Sequence, residues 1–311
     1  MNKYSFVLPA YKARFFKEAI DSILAQTYTD FELIIVNDAS PEDLESIVKS
    51  YSDPRIRYYR NEQNIGGKDL VAQWNHCLEY AKGEYIILAS DDDVYFPQYL
   101  EKMDTLVQKY PDVNVFRSRM QIINGEGEIC DLESSFKEYS TTLEFVYAWM
   151  KGYIKSGIPF YLFKKSSLES IGGFVSFPLA WFSDDATVIS LSKDGVVCCS
   201  DILFSFRHSG ESITTKQNDK IALRSKLEAM SSFYPLLRDM INKIVTQSMY
   251  QDFYKKYILG KIDNCIRGHC LYLMDCSNLK AILYNWTILR RYLPLKNILL
   301  SLYSNFKRNI L

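Results

Sequence analysis

The chain has 311 residues, 48% of them hydrophobic and 24% charged, with 37 basic side chains against 37 acidic ones. That length suits two folding units, or one large α/β unit with an extension, and the zero net charge leaves no global electrostatic footprint for nucleic acid. The seven cysteines are odd in number and contain no CxxC pair, which excludes a disulfide framework and a zinc ribbon and leaves reduced thiols in a cytoplasmic protein as the simplest account.

Residues 4–8 predict a short apolar strand ended by Pro9. One lysine ahead of so few apolar residues is too little for a signal peptide, and no stretch reaches the ~18–20 apolar residues that span a bilayer, so the protein is expected on the cytoplasmic side. Residues 14–26 place Phe15, Ala19, Ile20, Ile23 and Leu24 at helical spacing. Residues 31–36 predict a second strand running into Asn37-Asp38, and Pro41 sits where a helix is expected to start. A third short strand at 56–59, a helix at 70–81 closed by Gly83, a fourth strand at 85–89 and a helix at 97–110 follow.

This alternation predicts a parallel sheet covered on both faces, with ligands beyond the C-terminal ends of its strands. Those ends are Pro9-Ala10-Tyr11, Asn37-Asp38 and Asp91-Asp92-Asp93. Residues 111–215 read as mixed, with strand character at 113–123, 158–163 and 196–206 (broken by a turn at Ser200-Asp201), short helices at 166–171 and 184–192, and a break at Gly172-Gly173. From Asp219 onward the pattern is helical.

Three consecutive carboxylates repel, and at a buried strand end a divalent cation is their natural partner. Oxygen ligands favour Mg2+ or Mn2+, with water and diphosphate oxygens completing the shell and the metal countering charge on a leaving diphosphate. The competing reading is a solvated acidic turn. Asp38 either accepts a hydrogen bond from a nucleobase N–H or caps the next helix, and Tyr11 either stacks on a base or is an ordinary surface tyrosine. Asp184-Asp185 opens a helix, where the macrodipole favours negative charge; the functional alternative is a general base. His208 is a metal or phosphate ligand or a surface residue, and Arg207 is a candidate phosphate ligand.

Taken together, these blocks resemble the family-2 glycosyltransferases. The resemblance runs over about residues 3–215, through Val7-Leu8-Pro9-Ala10-Tyr11, Gln26-Thr27-Tyr28, residues 31–40, Asn61 with Asn64-Ile65-Gly66, Trp74-Asn75, Gly83-Glu84-Tyr85-Ile86, the aspartate cluster with Pro97, Ile171-Gly172-Gly173-Phe174 and Asp184-Asp185. It implies an α/β GT-A fold, a mostly parallel central sheet flanked by helices, over residues 1–215; the helical pattern beyond it makes 216–311 a C-terminal helical region. It implies an inverting, metal-dependent transfer from a nucleotide diphosphate sugar. Pro9, Ala10, Tyr11, Asp38, Asn64, Gly66 and Asp91 would then bind nucleotide, Asp92 the metal with His208 beside it, and Asp185 would be the base. Two departures stand out: Ser90 replaces the first carboxylate of the usual Asp-x-Asp-Asp, and the Glu-Asp pair reads Asp184-Asp185.

Asp38 and Tyr11 suit a uracil base, so a UDP-sugar is the preferred donor, and a glycan or lipid-linked hydroxyl in surface-polysaccharide assembly is the expected acceptor. A nucleotidyltransferase is disfavoured because Pro9-Ala10-Tyr11-Lys12-Ala13 lacks the glycine-rich loop of that class, and a non-catalytic binding module is disfavoured by the presence of both Asp92 and Asp185. Residues 277–311 carry six basic side chains and no acidic one. They read either as a region lying on an anionic membrane surface or as a helix with a basic solvent face.

Overall fold

The computed structural model describes residues 3–208 and 219–308, with side chains described through 303. The chain divides into two compact units, one made of Met1–Ser176 and Ser183–Ser209, the other of Phe177–Phe182 and Gly210–Leu311. The boundary expected at 215/216 and the side chains of Lys307 and Arg308 lie outside the described residues.

In the first unit the order is β1 (Tyr4–Ala10), α1 (Phe16–Leu24), β2 (Phe31–Asn37), α2 (Leu44–Lys49), β3 (Ile56–Arg60), α3 (Leu70–Leu78), β4 (Tyr85–Leu88), β5 (Val94–Tyr95) and α4 (Tyr99–Lys109). It continues through β6 (Val115–Ile123), β7 (Ile129–Leu132), β8 (Tyr139–Ser140), α5 (Thr142–Met150), β9 (Tyr161–Lys164), α6 (Lys165–Ser170), α7 (Ser183–Leu191) and β10 (Val196–Arg207). The strands form one sheet in the order β3-β2-β1-β4-β9-β6-β10-β5, with β7 on β6 and β8 on β10.

Pairing is parallel across β3-β2-β1-β4, where every residue of β2 and β4 is buried, as a sheet covered on both faces requires. Beyond β4 the sheet is mixed, because β9 enters antiparallel to both β4 and β6 while β10 runs parallel to β6. The turn expected at Ser200-Asp201 is a register shift inside one continuous strand, β10.

Polar chemistry locks the parallel core. Glu32 Oε1 accepts from Ser5 Oγ at 2.7 Å and from the Lys82 N–H at 2.6 Å, and Glu32 Oε2 accepts from Arg57 at 2.8 Å. Burial pushes the Glu32 carboxyl up, but these donors outweigh it and hold it below its usual range. Gly83 closes over the same spot: its N–H donates to Ser5 Oγ at 2.8 Å, and a Cβ there would stand 2.7 Å from the Ser5 backbone nitrogen.

Helix starts follow from capping rather than from proline. Asp43 accepts from the Ser46 N–H at 3.0 Å, so α2 begins at Leu44 and not at Pro41. Asp69 caps α3 in the same way, and Thr141 with Glu144 forms a capping box at the start of α5.

The second unit is helical among the described residues: α8 (Lys220–Lys243), α9 (Met249–Asp275), α10 (Leu279–Tyr284), α11 (Trp286–Tyr292) and α12 (Leu295–Arg308). Asp219, Ser248 and Asn278 cap α8, α9 and α10. Its core includes Leu223, Leu227, Met230, Phe233, Ile258, Ile262 and Leu273. No described helix is long and apolar enough to cross a membrane.

Candidate active site

The parallel registers Ala10↔Asn37 and Val7↔Leu88 bring the C-terminal ends of β1, β2 and β4 to one edge. At the end of β2, the Asp38 N–H donates to Ala10 O at 2.9 Å, which continues the ladder and fixes the carboxylate. Asp38 Oδ1 accepts from Asn61 Nδ2 and from the Ile65 N–H, both at 2.8 Å, and Oδ2 accepts from the Gly66 N–H at 2.7 Å. Asp38 is therefore the anchor of the 61–66 loop, with three of its acceptor directions filled and one left on Oδ2. Asn64 Oδ1 accepts from the Gly67 N–H and shapes the next turn of that loop.

Asp91 is committed as well. Its Oδ2 accepts from the Tyr11 and Lys12 N–H groups at 2.8 Å each, so it holds the loop after β1 in place. Burial raises the Asp91 carboxyl to about 6 against the pull of those two donors, with Asp92 adding to the rise. Ser40 Oγ donates to Tyr11 O at 2.5 Å, and Tyr11 is 41% exposed. Pro9 and Ala10 lie in the last turn of the β1 ladder, facing Val36 and Asn37.

The three aspartates after β4 thus have three different surroundings. Asp93 points inward, is buried, and accepts from the Arg207 N–H at 2.8 Å, while its Oδ2 has no hydrogen-bond partner. Burial and then the neighbouring Asp92 push the Asp93 carboxyl well above its ordinary range. Asp92, between them, is half-buried, and its Oδ1 accepts from Ser90 Oγ at 2.5 Å. Ser90, standing where the family has a carboxylate, thereby orients Asp92.

Arg207 is not placed to bind phosphate, contrary to expectation. Its guanidinium is buried, donates to Asp92 O at 2.8 Å, pairs with Glu18 at 2.7 Å and stacks on Phe15 with 4.2 Å to the ring centroid. It straps the end of β10 to the aspartate cluster. His208 follows it, is exposed, donates its N–H to Ile123 O at 2.8 Å and packs its ring edge-on against Phe206.

No cluster of three His, Cys, Asp or Glu side chains poised for a metal exists among the described residues. The donors present nevertheless fit Mg2+ or Mn2+, which take few protein ligands and draw the rest from phosphate and water; Asp92 would supply the carboxylate, with His208 the nearby candidate.

Asp184 and Asp185 open α7. Asp184 Oδ1 accepts from the Asp185 N–H at 2.9 Å, a local helix-start role, whereas Asp185 is buried and accepts from Ser156 Oγ and from the Trp149 side chain. Burial first and Asp184 second push the Asp185 carboxyl well above its usual range, and the two donors pull against that rise. Burial also raises Asp184.

The Gly172-Gly173-Phe174 turn ties α7 to α3. Asn75 Oδ1 accepts from the Phe174 N–H at 2.7 Å, Asn75 Nδ2 donates to Phe174 O at 3.0 Å, and Thr187 Oγ1 accepts from the Val175 N–H at 2.9 Å. Gly173 has φ 95°, and a Cβ there would stand 2.4 Å from Asn75 Oδ1, so glycine is required on both counts. Ser156 and Trp149 escaped the sequence reading. Trp149 lies on α5, and the one signal that could have found that helix is the Thr141-x-x-Glu144 capping pattern at its start.

Residues 5–169 match the family model described as Glycosyl transferase family 2, more than half of the chain. The chain belongs to that family. The putative glycosyltransferase EpsE of Bacillus subtilis (strain 168) is 36% identical to this glycosyltransferase over 129 residues, 40% of this chain and 45% of EpsE. The chain spans less than half the length of the curated relatives it matches.

Among solved structures, S. aureus TarS 1-349 in complex with UDP-GlcNAc superposes with a TM-score of 0.66 at 15% identity, covering 99% of this glycosyltransferase and 91% of TarS. The mannosyltransferase PcManGT from Pyrobaculum calidifontis, in complex with GDP-Man and Mn2+, gives 0.51 at 14% identity, covering 99% and 87%. At these identities the likeness establishes the GT-A fold of this glycosyltransferase.

Proposed function

We propose that this glycosyltransferase is inverting and moves a sugar from a nucleotide diphosphate, preferably UDP, onto a hydroxyl of a glycan or lipid-linked acceptor in surface-polysaccharide assembly. The observation that carries the reading is Asp185: a buried carboxylate at the start of α7, raised above its ordinary range yet held by two hydrogen-bond donors. A carboxylate raised in this way is a stronger proton acceptor than a solvated one, as a general base for an acceptor hydroxyl must be. As the proton passes to Asp185, the acceptor oxygen bonds the anomeric carbon on the face opposite the diphosphate. The carbon–oxygen bond to the diphosphate breaks, and the configuration inverts.

On the donor side, the exposed Tyr11 ring and the remaining acceptor direction on Asp38 suit a base with an N–H, and the 61–66 loop with Asn64 and Gly66 closes the same edge. Asp91 keeps Tyr11 and Lys12 in place beside it. The UDP-GlcNAc held by the structurally similar TarS supports the uracil preference. A Mg2+ or Mn2+ held by Asp92, with His208 as second candidate, supplies positive charge to the departing diphosphate when bound.

The lipid-linked acceptor is supported by the second unit. Leu279, Leu283, Leu295, Leu299, Leu300 and Tyr303 are exposed, the exposed Lys280, Arg290, Arg291 and Lys296 lie among them, and no acidic residue occurs from 277 to 311. That composition suits the inner, anionic face of a membrane. Sedimentation with anionic vesicles tests it: a Leu295→Glu/Leu299→Glu variant is expected to stay in the supernatant, and equal pelleting of variant and parent removes the membrane reading.

Calorimetric titration of UDP, GDP and dTDP with and without Mn2+ tests the donor reading. Mn2+-dependent binding of UDP over the other two is expected; a preference for GDP or dTDP overturns the uracil assignment.

A further inference from the structure

Three further features stand out. A pocket of about 380 Å³ lined by Arg60, Asn61, His76 and Tyr80 has nothing that singles out a ligand. The exposed apolar tip at Val245, Met249, Tyr250 and Phe253 mixes with charges of both signs. The third, a buried ion pair behind the candidate base, carries an argument through.

Arg117 on β6 and Glu133 just after β7 are 1% and 2% exposed, and pair at 2.6 Å. The Arg117 guanidinium lies 4.9 Å from the Phe160 ring centroid and 5.5 Å from that of Tyr161, leaving its Nε and Nη1 without hydrogen-bond partners. Burying two charges with unfilled donors is a poor source of stability, because desolvation offsets most of the attraction. The geometry shows what the pair holds. Glu133 Oε1, which accepts from Arg117, also accepts from the Lys155 N–H at 2.7 Å, and Glu133 Oε2 accepts from the Met120 N–H at 3.2 Å. The Lys155 ammonium is pinned at its far end by an ion pair with Asp131. Residue 155 is gripped through both backbone and side chain, and the next residue, Ser156, is the one whose hydroxyl donates to Asp185 Oδ1.

We propose that Ser156 is a positioning residue for the base, and that the Arg117–Glu133 pair, acting through Lys155, keeps its hydroxyl on Asp185. This rests on the reading of Asp185 as the base. The hydroxyl has two effects. It fixes one oxygen of the carboxylate, so that the other is presented in one orientation, and it stabilises the anion against a site that disfavours it. The groups acting on Asp185 are Asp184 on its own helix, the Trp149 side chain from α5 and Ser156 from the following loop; the Tyr161 hydroxyl of β9 feels Asp185, Asp184, Arg117 and Glu133 together. Of these, Ser156 and Trp149 favour the ionised form of Asp185, while Asp184, whose own carboxyl Ser156 also pulls down, opposes it.

The test is an NMR titration of the enzyme carrying isotope-labelled aspartate carboxyls, with the Asp185 signal assigned by its loss in Asp185→Asn. Ser156→Ala is expected to move the Asp185 midpoint up by about one pH unit, and Ser156→Thr to restore it. Arg117→Met/Glu133→Leu replaces both charges with apolar volume, but it takes an acceptor from the Lys155 and Met120 N–H groups, so a melting curve is recorded to show that the fold survives; the Asp185 midpoint should move in the same direction with UDP affinity unchanged. An unchanged midpoint in Ser156→Ala overturns the role of Ser156, and an unchanged midpoint in the double variant overturns that of the ion pair. The titration needs no substrate, so it stands apart from the base reading, which fails if Asp185→Asn still releases UDP from a UDP-sugar at the parent rate.

Discussion

The Gly66 N–H donates to Asp38 Oδ2 at 2.7 Å, and a Cβ on Gly66 would stand 2.9 Å from the same oxygen. Glycine is thus what lets the loop close on the aspartate. Gly66→Ala should push the two apart and weaken UDP binding by about tenfold, with little change in melting temperature because the loop is at the surface. Asp38→Asn should be worse for the fold. An amide has one acceptor oxygen where three donors converge, so a buried N–H loses its partner at a cost of about 1–3 kcal/mol. Calorimetry and thermal melting separate the two outcomes, and equal UDP affinity in Gly66→Ala and parent contradicts the loop's place at the nucleotide.

Gly83 is a purely structural counterpart. Its virtual Cβ meets the Ser5 backbone nitrogen at 2.7 Å, and a central strand cannot retreat. Gly83→Ala should cost about 3 kcal/mol, read as a fall in the chemical-denaturation midpoint. A change below the error of that measurement would show that the strand yields.

Asp185→Asn keeps the shape of the site and removes the proton acceptor. Turnover should fall by about 10²–10⁴-fold while UDP affinity is retained. Because burial and Asp184 raise this carboxyl, the acid limb of the rate profile should lie above the usual carboxylate range: protonation of the base as pH falls stops the reaction. A rate that stays flat through that range excludes Asp185 as the titrating group.

Glu32 has the opposite sign. Its folded carboxyl lies below the ordinary value, so it contributes stability above that value and the contribution is lost as pH falls through the folded one. Glu32→Gln should therefore destabilise the enzyme at neutral pH and much less in acid, a difference that melting curves across pH resolve directly.

How much of this was legible in the sequence depends on what each element announces. β1, β2 and β4 are almost wholly apolar runs, interrupted only by Ser5 and Glu32, and the structure pairs them side by side with their ends on one edge. β5 and β8 have two residues each, and every residue of β7 is exposed, so none carries a periodic signal. Asp91, Asp92 and Asp93 look interchangeable in sequence. Which one faces the Tyr11 and Lys12 N–H groups, and which faces the Arg207 N–H, is decided by Lys12 in the loop after β1 and Arg207 on β10, 79 and 114 positions away. Arg207 likewise reads as a free cation until Glu18 and Phe15 are seen around it. Arg117 and Glu133 stand 16 residues apart with no motif between them, and only the pairing of β6 and β7 brings them together.

The stretch from 124 to 160, which joins β6 to β9, contains Glu133, Trp149 and Ser156. Its sequence carries no pattern that specifies an acceptor. If acceptor choice lies there, then descendants that exchange this insert for another inherit a new acceptor and a new electrostatic setting for Asp185 in a single event. Chimeras that graft it between relatives should carry the donor's pH profile with them, so the working pH of a family member would travel with its acceptor rather than with its nucleotide.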